Sequence, residues 1–355
     1  MNTRMYDEVI IYYFSGTGNA EYAALWVGNE AKKAGVDYRI INIAKMKDKK
    51  IRTPTSNALI GFISPTHGFH FPLIMRKFIK SYPRSNNCSA FIMNTRAGTR
   101  IRKTIIGGLS GILHFWSSAL LILKGFKIVG LFPVDLPSNW ISVHPAFKKK
   151  GTDVIYTHVE PKVRQFADSI LNGDRNYKAL SPRNMILDIM IAPISIAYIL
   201  VGKYFFAKSF IASSDCDKCN ICEKNCPVNA IKEIDGRKFW TSRCESCMQC
   251  MNTCPRQAIE TAHGFLFLIW IITSAVNNFT INQLLKFPTC QSWHWLQNTT
   301  TMLWIKLILV FPFLFLGYRL MHWLLKFSFF ERLVVFTSLT KLKFWGRYKA
   351  PKKCG

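Results

Sequence analysis

The first 175 residues alternate short, mostly apolar runs with longer stretches that mix apolar and charged positions. Glu8–Phe14 (EVIIYYF) is apolar, β-branched and aromatic, the composition of a strand buried on both faces. Ala20–Gly35 is rich in helix formers and stops at a glycine. Tyr38–Ile43 and Ala58–Ser64 read as further strands, and Pro72–Tyr82 as a helix with proline at its first position. Ser89–Asn94 and Phe126–Phe132 complete five strands, and Val159–Gly173 is the last helix of the region. Such alternation predicts an α/β fold with a doubly wound, five-stranded parallel sheet over residues 1–175.

The pattern then changes. Residues 176–214 form a connector holding the apolar run Met190–Val201, short and broken by proline, read as a helix packed on a neighbouring domain or lying at a membrane surface. Residues 215–261 contain an internal repeat. Residues 262–325 hold two strongly apolar stretches, Gly264–Val276 and Met302–Tyr318, the second interrupted by Lys306 and Pro312. Between them, from Asn277 to Thr301, the only charge is Lys286, whereas Arg319–Gly355 carries nine Lys/Arg and one acidic residue, Glu331. This asymmetry predicts a transmembrane hairpin with both ends in the cytoplasm and a basic cytoplasmic tail over residues 326–355.

Charge and composition add one constraint each. A formal net charge of +27 over 355 residues suits nucleic acid, an anionic membrane face or an acidic partner. The basic residues are spread through the chain and no nucleic-acid-binding motif is visible, so the membrane reading is preferred and nucleic acid is not expected as a partner. Eight of the eleven cysteines fall in two tight clusters, which points to metal ligation in a reducing compartment and not to disulfides. The opening residues lack a basic n-region and a small-residue cleavage site, so the amino-terminal part is expected in the cytoplasm.

The repeat is a cysteine pattern. Cys216, Cys219, Cys222 and Cys226, followed by Pro227, recur 28 positions later as Cys244, Cys247, Cys250 and Cys254, followed by Pro255. A [4Fe–4S] cube takes one thiolate per iron, and this spacing lets three cysteines wrap one cube while the fourth reaches another. Two motifs then hold two [4Fe–4S] clusters by exchanging fourth ligands: Cys216, Cys219, Cys222 and Cys254 on one, Cys244, Cys247, Cys250 and Cys226 on the other. Zinc knuckles and a disulfide framework are the rival readings; zinc sites usually need only two pairs of ligands. Cys88, Cys290 and Cys354 read as buried or surface thiols. The segment resembles a bacterial-type two-cluster ferredoxin.

The turn after the first strand, Tyr13–Ala20 (YFSGTGNA), is built of small residues that let backbone N–H groups close on a phosphate at a helix amino end. It lacks the G-x-G-x-x-G of a dinucleotide site. It is similar to the phosphate loop of flavodoxins, with Ser15, Gly16, Thr17, Gly18 and Asn19 in matching places; Ala20 departs from that pattern, where a hydroxyl residue is usual. The resemblance implies a flavodoxin-like fold, bound FMN, and two further loops flanking the flavin ring. One is Ser64–Pro72, with Pro65, Thr66, His67, Gly68 and Phe69 as contacts and Phe71 as an alternative ring. The other is Asn94–Arg100, with Thr95, Arg96, Ala97 and Gly98; Arg96 or the backbone near Gly98 would compensate charge on reduced flavin.

Together the flavodoxin-like part, connector and ferredoxin-like part resemble the EFR-type flavodoxin–ferredoxin fusion proteins of anaerobic prokaryotes, over roughly the first 260 residues. That resemblance implies an electron-transfer flavoprotein on the cytoplasmic face of the membrane, passing electrons between FMN, the clusters and a redox protein or quinone. The alternative is a flavin-dependent reductase of a small molecule, fed by its own ferredoxin domain, with His67, His70 or Arg96 positioning the substrate.

Overall fold

The computed structural model describes residues 5–46, 51, 55, 57–85, 87–101, 104–284, 286 and 298–350. The chain divides into two compact units. The first comprises Met1–Ile199, Glu245–Asn252 and Gly346–Gly355; the second comprises Leu200–Cys244 and Thr253–Trp345.

In the first unit the elements are β1 (Glu8–Tyr13), α1 (Asn19–Lys33), β2 (Asp37–Asn42), β3 (Ala58–Pro65), α2 (Leu73–Ser81), β4 (Ser89–Ile101), β5 (Thr104–Ile106), α3 (Leu113–Leu123), β6 (Lys127–Pro137), α4 (Lys149–Leu171) and α5 (Pro182–Ala197). Strands β2-β1-β3-β4-β6 lie side by side, all parallel, in the 2-1-3-4-5 order of flavodoxin-like folds. Alternation along each strand serves two cores. Val9, Ile11, Leu59, Ile63 and Met93 join Val27, Val163 and Phe166 of α1 and α4 on one face. Ile10, Tyr12, Ile60, Phe62 and Ile92 join Met75, Ile79, Leu113 and Leu121 of α2 and α3 on the other. Both faces are covered, so these strands read as continuous apolar runs.

Three features exceed the sequence expectation. The sheet gains a short sixth strand: β5 pairs antiparallel with the end of β4. Residues Asn94–Arg100, expected as a loop, belong to β4, which continues because Thr95–Gly98 pair with Val134–Pro137 of β6. The apolar stretch Leu113–Leu123 is helix α3, and α4 begins at Lys149, running through Pro161 because burial of Ile155, Tyr156, Val159 and Val163 outweighs the lost backbone bond.

The connector is helical from Pro182 to Ala207, 26 residues, long enough by length and composition to cross a membrane. Its pattern is inverted: the buried side chains of α5 are the polar Asp188 and Ser195, whereas Ile186, Ile189, Met190 and Ile194 are exposed. Asp188 accepts hydrogen bonds from the Ser110 and Gly111 N–H groups, both 2.8 Å, and Ser195 Oγ donates to the Phe69 carbonyl, 2.9 Å.

The second unit opens with α6 (Lys203–Ala207) and β7 (Phe210–Ala212), which pairs antiparallel with β10 (Ile259–Thr261). The hairpin of β8 (Ile231–Ile234) and β9 (Arg237–Trp240) turns at Asp235-Gly236, both with positive φ as a type I′ turn demands. Short helices α7 (Ile221–Lys224) and α8 (Gln249–Thr253) carry the third cysteine of each motif, Cys222 and Cys250, and residues 249–252 of α8 belong to the first unit. Helices α9 (His263–Leu284) and α10 (Thr299–Leu324), followed by α11 (Ser328–Phe336), share a core of Phe265, Leu266, Ile269, Val310, Leu314 and Tyr318. The Tyr318 hydroxyl donates to the Phe210 carbonyl, 2.8 Å, and accepts from the Trp240 N–H, 3.2 Å, rooting the apolar helices on the small sheets. His263–Gln283 and Thr300–Leu324 are also long and apolar enough to span a membrane, and Lys306 sets its ammonium 3.4 Å over the Trp270 ring. Cys290, Cys354 and most of the loop between α9 and α10 lie outside the described residues.

Candidate functional site

A cavity of about 230 Å³ opens at the carboxyl ends of the parallel strands of the first unit, where ligands bind in open α/β sheets. Nine of the residues singled out in the sequence line it: Asn19, Pro65, Thr66, His67, Gly68, Phe69, Thr95, Arg96 and Ala97. Phe71 and His70 are in the interior, 2 % and 1 % exposed. Gly98 is held in β4, where a Cβ would meet the Asp135 carbonyl at 2.4 Å.

Ser15, Gly16, Thr17 and Gly18 form the turn from β1 to α1, and Gly18 is the helix N-cap with φ 103°. Ser15 Oγ accepts from the Gly18 N–H, 3.0 Å. Thr17 Oγ1 accepts from the Asn139 side chain. The first N–H groups of α1 have no intrahelical acceptor, as at any helix start, and these are the donors a phosphate takes. The Asn19 side chain is committed elsewhere. Its Nδ2 donates to the Pro137 carbonyl, 2.8 Å, and its Oδ1 accepts from Tyr156, 2.8 Å, and Tyr348, 2.5 Å. Ala20 is fully buried in the core, so its methyl packs on the sheet where a hydroxyl residue would be needed to reach outward.

A polar network backs the cavity. Asn94 Nδ2 donates to Thr66 Oγ1, 2.7 Å, and to Ser110 Oγ, 3.1 Å, while His114 Nε2 donates to Asn94 Oδ1, 2.7 Å. Burial, with Arg96 nearby, pushes the His114 imidazole down to about 3. Burial likewise brings His67 down to about 4, although the Glu245 carbonyl favours its proton. These rings are neutral near pH 7. Arg96 does not carry free charge into the cavity: its Nε and Nη2 reach Asp135 at 2.6 and 3.3 Å, and Asp135 also accepts from the Gly108 N–H, 2.9 Å. The expectation that Arg96 offsets charge on a reduced flavin therefore meets a guanidinium already neutralised by its partner.

In the second unit, Cys216, Cys219, Cys222 and Cys254 line one small cavity with Pro255. The two motifs share a backbone signature at 28-residue spacing. Lys218 and Ser246, Asn220 and Met248, Asn229 and Gln257 all have positive φ, between 49° and 61°. Non-glycine residues in this region cost of order 1 kcal/mol each and persist where surroundings demand them. Turning the chain on both sides of Cys219 and of Cys247 aims successive N–H groups inward, a concavity suited to an anion. Cys226 Sγ accepts from the Ala230 N–H, 3.2 Å, and Cys254 Sγ from the Ala258 N–H, 3.3 Å, the same i+4 contact in each repeat. Among the described residues, no three His, Cys, Asp or Glu side chains converge as a single metal ion requires. Cys216, Cys219, Cys222 and Cys254, set around one cavity, are the kind of donors a cube takes at its corners.

Residues 215–259 match a family described as a 4Fe-4S dicluster domain. That segment binds iron–sulfur. The first unit is similar to a flavodoxin from Streptococcus pneumonia TIGR4, 14% identical, covering 45% of this chain and 95% of that one, TM-score 0.31. It is also similar to a cysteine-substituted flavodoxin from Pseudomonas aeruginosa, 16% identical, covering 47% and 99%, TM-score 0.33. A third similarity is to rubredoxin oxygen:oxidoreductase from the anaerobe Desulfovibrio gigas, 16% identical, covering 48% of this chain and 37% of that one, TM-score 0.32. No curated protein matches the chain. The flavodoxin-like fold of the first unit stands on its own strand order and on its cavity at the strand ends.

Eight cavity residues were not singled out in the sequence, and four of them bear most on the site. Asn139 and Trp140 follow the unexpected extension of β6, and Tyr198 comes from the connector helix. The Trp140 and Tyr198 rings meet edge to face, centroids 6.3 Å apart. The Tyr198 ring stands where a Cβ on Gly68 would lie, 2.0 Å away, and Gly68 has φ 54°. Ser246, from between two second-motif cysteines, is the fourth.

Proposed function

We propose that this chain is a membrane-attached electron-transfer protein that holds FMN in the flavodoxin-like unit and two [4Fe–4S] clusters in the dicluster domain. The observation that carries the reading is the joint cavity of Cys216, Cys219, Cys222 and Cys254: three thiols of one motif and the last of the other. This is the ligand exchange that a two-cluster arrangement uses. For FMN, the start of α1 would take the phosphate and the cavity beside Thr66, His67, Trp140 and Tyr198 would take the ring system. Among the described residues, His67 Nδ1 is buried without a protein partner, an acceptor that a flavin ring N–H would satisfy. Bound FMN supplies exchange of one or two electrons, against one for each cluster.

Membrane attachment is supported by the α9–α10 pair and its charge asymmetry. A span at Pro182–Ala207 is disfavoured. It would put the flavodoxin-like unit and the dicluster domain on opposite membrane faces, yet Glu245–Asn252, from within the dicluster segment, belongs to the flavodoxin-like unit. The exposed apolar side of α5 suits the plane of the bilayer interface, with the unit's body on the aqueous side. Both redox units then lie on the cytoplasmic face, and the external partner is a redox protein or a quinone. The reductase reading is weaker because the imidazoles of His67 and His70 are held neutral by burial, down to about 4 and about 3, and Arg96 is paired with Asp135.

Anaerobic purification with metal, sulfide and flavin analysis tests the proposal. About eight irons, eight sulfides and one FMN per chain are expected from the two-cube ligand rule. Cys254→Ala should damage the cluster of the first motif. Stoichiometric zinc without iron, or a chain that does not take up FMN, would overturn it.

A further inference from the structure

The segment Glu245–Asn252 carries two thiols of the second motif, Cys247 and Cys250, and it is part of the flavodoxin-like unit. Its anchoring is specific. The Cys247 carbonyl lies 2.4 Å from the place a Cβ on Gly16 would occupy, so the first βα turn admits this loop only because residue 16 is glycine. The Cys247 side chain packs against the core beneath α2 and α3. The Glu245 carboxylate accepts from the Leu73 N–H at the start of α2, 3.0 Å, and the Glu245 carbonyl bonds the His67 ring. Ser246 lines the cavity assigned to the flavin. Asn252 Oδ1 accepts from the Tyr348 N–H, 2.6 Å. The corresponding first-motif residues, with Cys216, Cys219 and Cys222, all belong to the other unit. As sequences the motifs are near-equivalent repeats, so nothing in their cysteine spacing distinguishes these roles.

We infer that the cluster held by the second motif, and not that of the first, is the flavin's direct electron partner. This rests on the proposed loading with FMN and two cubes. Electron transfer falls off exponentially with separation, and the second motif supplies the thiols whose backbone abuts the phosphate turn and whose neighbour lines the cavity. The step balances as two single-electron transfers. An external one-electron redox protein reduces the clusters one electron at a time. The second-motif cluster, when bound, would take up and pass on one electron at a time, and bound FMN would take two electrons, with two protons from water, to its dihydro form.

The full-length, anaerobically loaded protein tests this by electron paramagnetic resonance. In partly reduced protein, the flavin radical signal should relax fast because a reduced cluster lies beside it. Cys219→Ser, which loses or converts the first-motif cluster, should leave that fast relaxation in place. Cys250→Ser should abolish it. Gly16→Val should shift the cluster signal that Cys219→Ser leaves unchanged. Loss of fast relaxation in Cys219→Ser at unchanged flavin content would overturn the inference, as would its survival in Cys250→Ser. The Cys219→Ser arm decides alone if Cys250→Ser does not fold. Wild-type protein lacking FMN or iron would refute the functional proposal itself, an outcome read from composition before any coupling is measured.

Discussion

The Tyr348 hydroxyl donates to Asn19 Oδ1 at 2.5 Å, joining residues 329 positions apart. Tyr348 is 2 % exposed, and burial raises its phenol well above the ordinary range, so it acts as a neutral donor. Ala350, two residues on, sits against Gly18. The basic carboxy-terminal segment thus closes on the turn that opens α1.

Tyr348→Phe should leave Asn19 with Tyr156 as its remaining hydroxyl donor. Loss of one buried hydrogen bond costs about 1 kcal/mol, and FMN should dissociate more readily. A stop after Trp345, which also removes the cover over Gly18, should have the larger effect. Flavin fluorescence on dilution measures release; unchanged retention in the shortened chain would show that the segment has no part in the site.

Acid should loosen the first unit through His70 and His114. Both imidazoles are held at about 3 by burial, below their ordinary 6.5. The unfolded chain therefore binds more protons below pH 6.5, and stability that is complete above that value is lost as pH falls toward 3. The slope is at most about 1.4 kcal/mol per pH unit for each ring. His114→Gln should flatten the profile of denaturation midpoint against pH between 6.5 and 4; an unaltered slope would contradict the assignment.

Asp135→Asn should expose the Arg96 charge to the cavity. The pair is bidentate and Arg96 is 7 % exposed in its side chain. The expected outcome is a loss of roughly 1–3 kcal/mol in stability from the unpaired buried cation, together with a higher midpoint potential for bound FMN, since an unpaired cation nearby favours the arrival of electrons. Redox titration in the presence of excess FMN separates the two effects. An unchanged potential would place Arg96 outside the flavin's field.

Tyr198 and Gly68 act as one contact. Tyr198→Ala should weaken FMN binding by about 1 kcal/mol and brighten bound flavin by removing an aromatic quencher. Gly68→Ala should do the same through a different route, by forcing a side chain at φ 54° into the Tyr198 ring. Titration of both variants with FMN, following fluorescence, would expose the reading as mistaken if neither changes.

The hairpin prediction is topological. In a cysteine-light background, a single cysteine at Asn298 should react with an impermeant thiol reagent in intact cells and one at Lys343 should not. Forcing each Lys or Arg of the tail across a bilayer costs roughly 2.5–3.5 kcal/mol. Equal protection at both positions, with full-length protein released from membranes by alkali, would mean that α9 and α10 only pack on protein.

Sequence by itself determined the parts whose physics is local. Five apolar runs bounded by turn residues specify strands, and burial on both faces erases their alternation, so the parallel sheet was legible before any coordinates. Cysteine spacing is likewise local, because a cube's size sets the distance between successive ligands. Tertiary structure decided what depends on distant pairing. Residues Arg96–Gly98 carry no strand signal of their own and become part of β4 by pairing with β6. Arg96 appears as a free cation until Asp135, 39 positions away, neutralises it. Asn19 appears as a phosphate contact until Tyr156 and Tyr348 claim its amide oxygen. Which side of α5 is buried was also decided by packing: it is the polar side, because Asp188 satisfies the Ser110 and Gly111 N–H groups. And of two cysteine repeats alike in spacing, only the second gives two of its cysteines, Cys247 and Cys250, to the first unit, where the absence of a side chain at Gly16 leaves room for the carbonyl of Cys247.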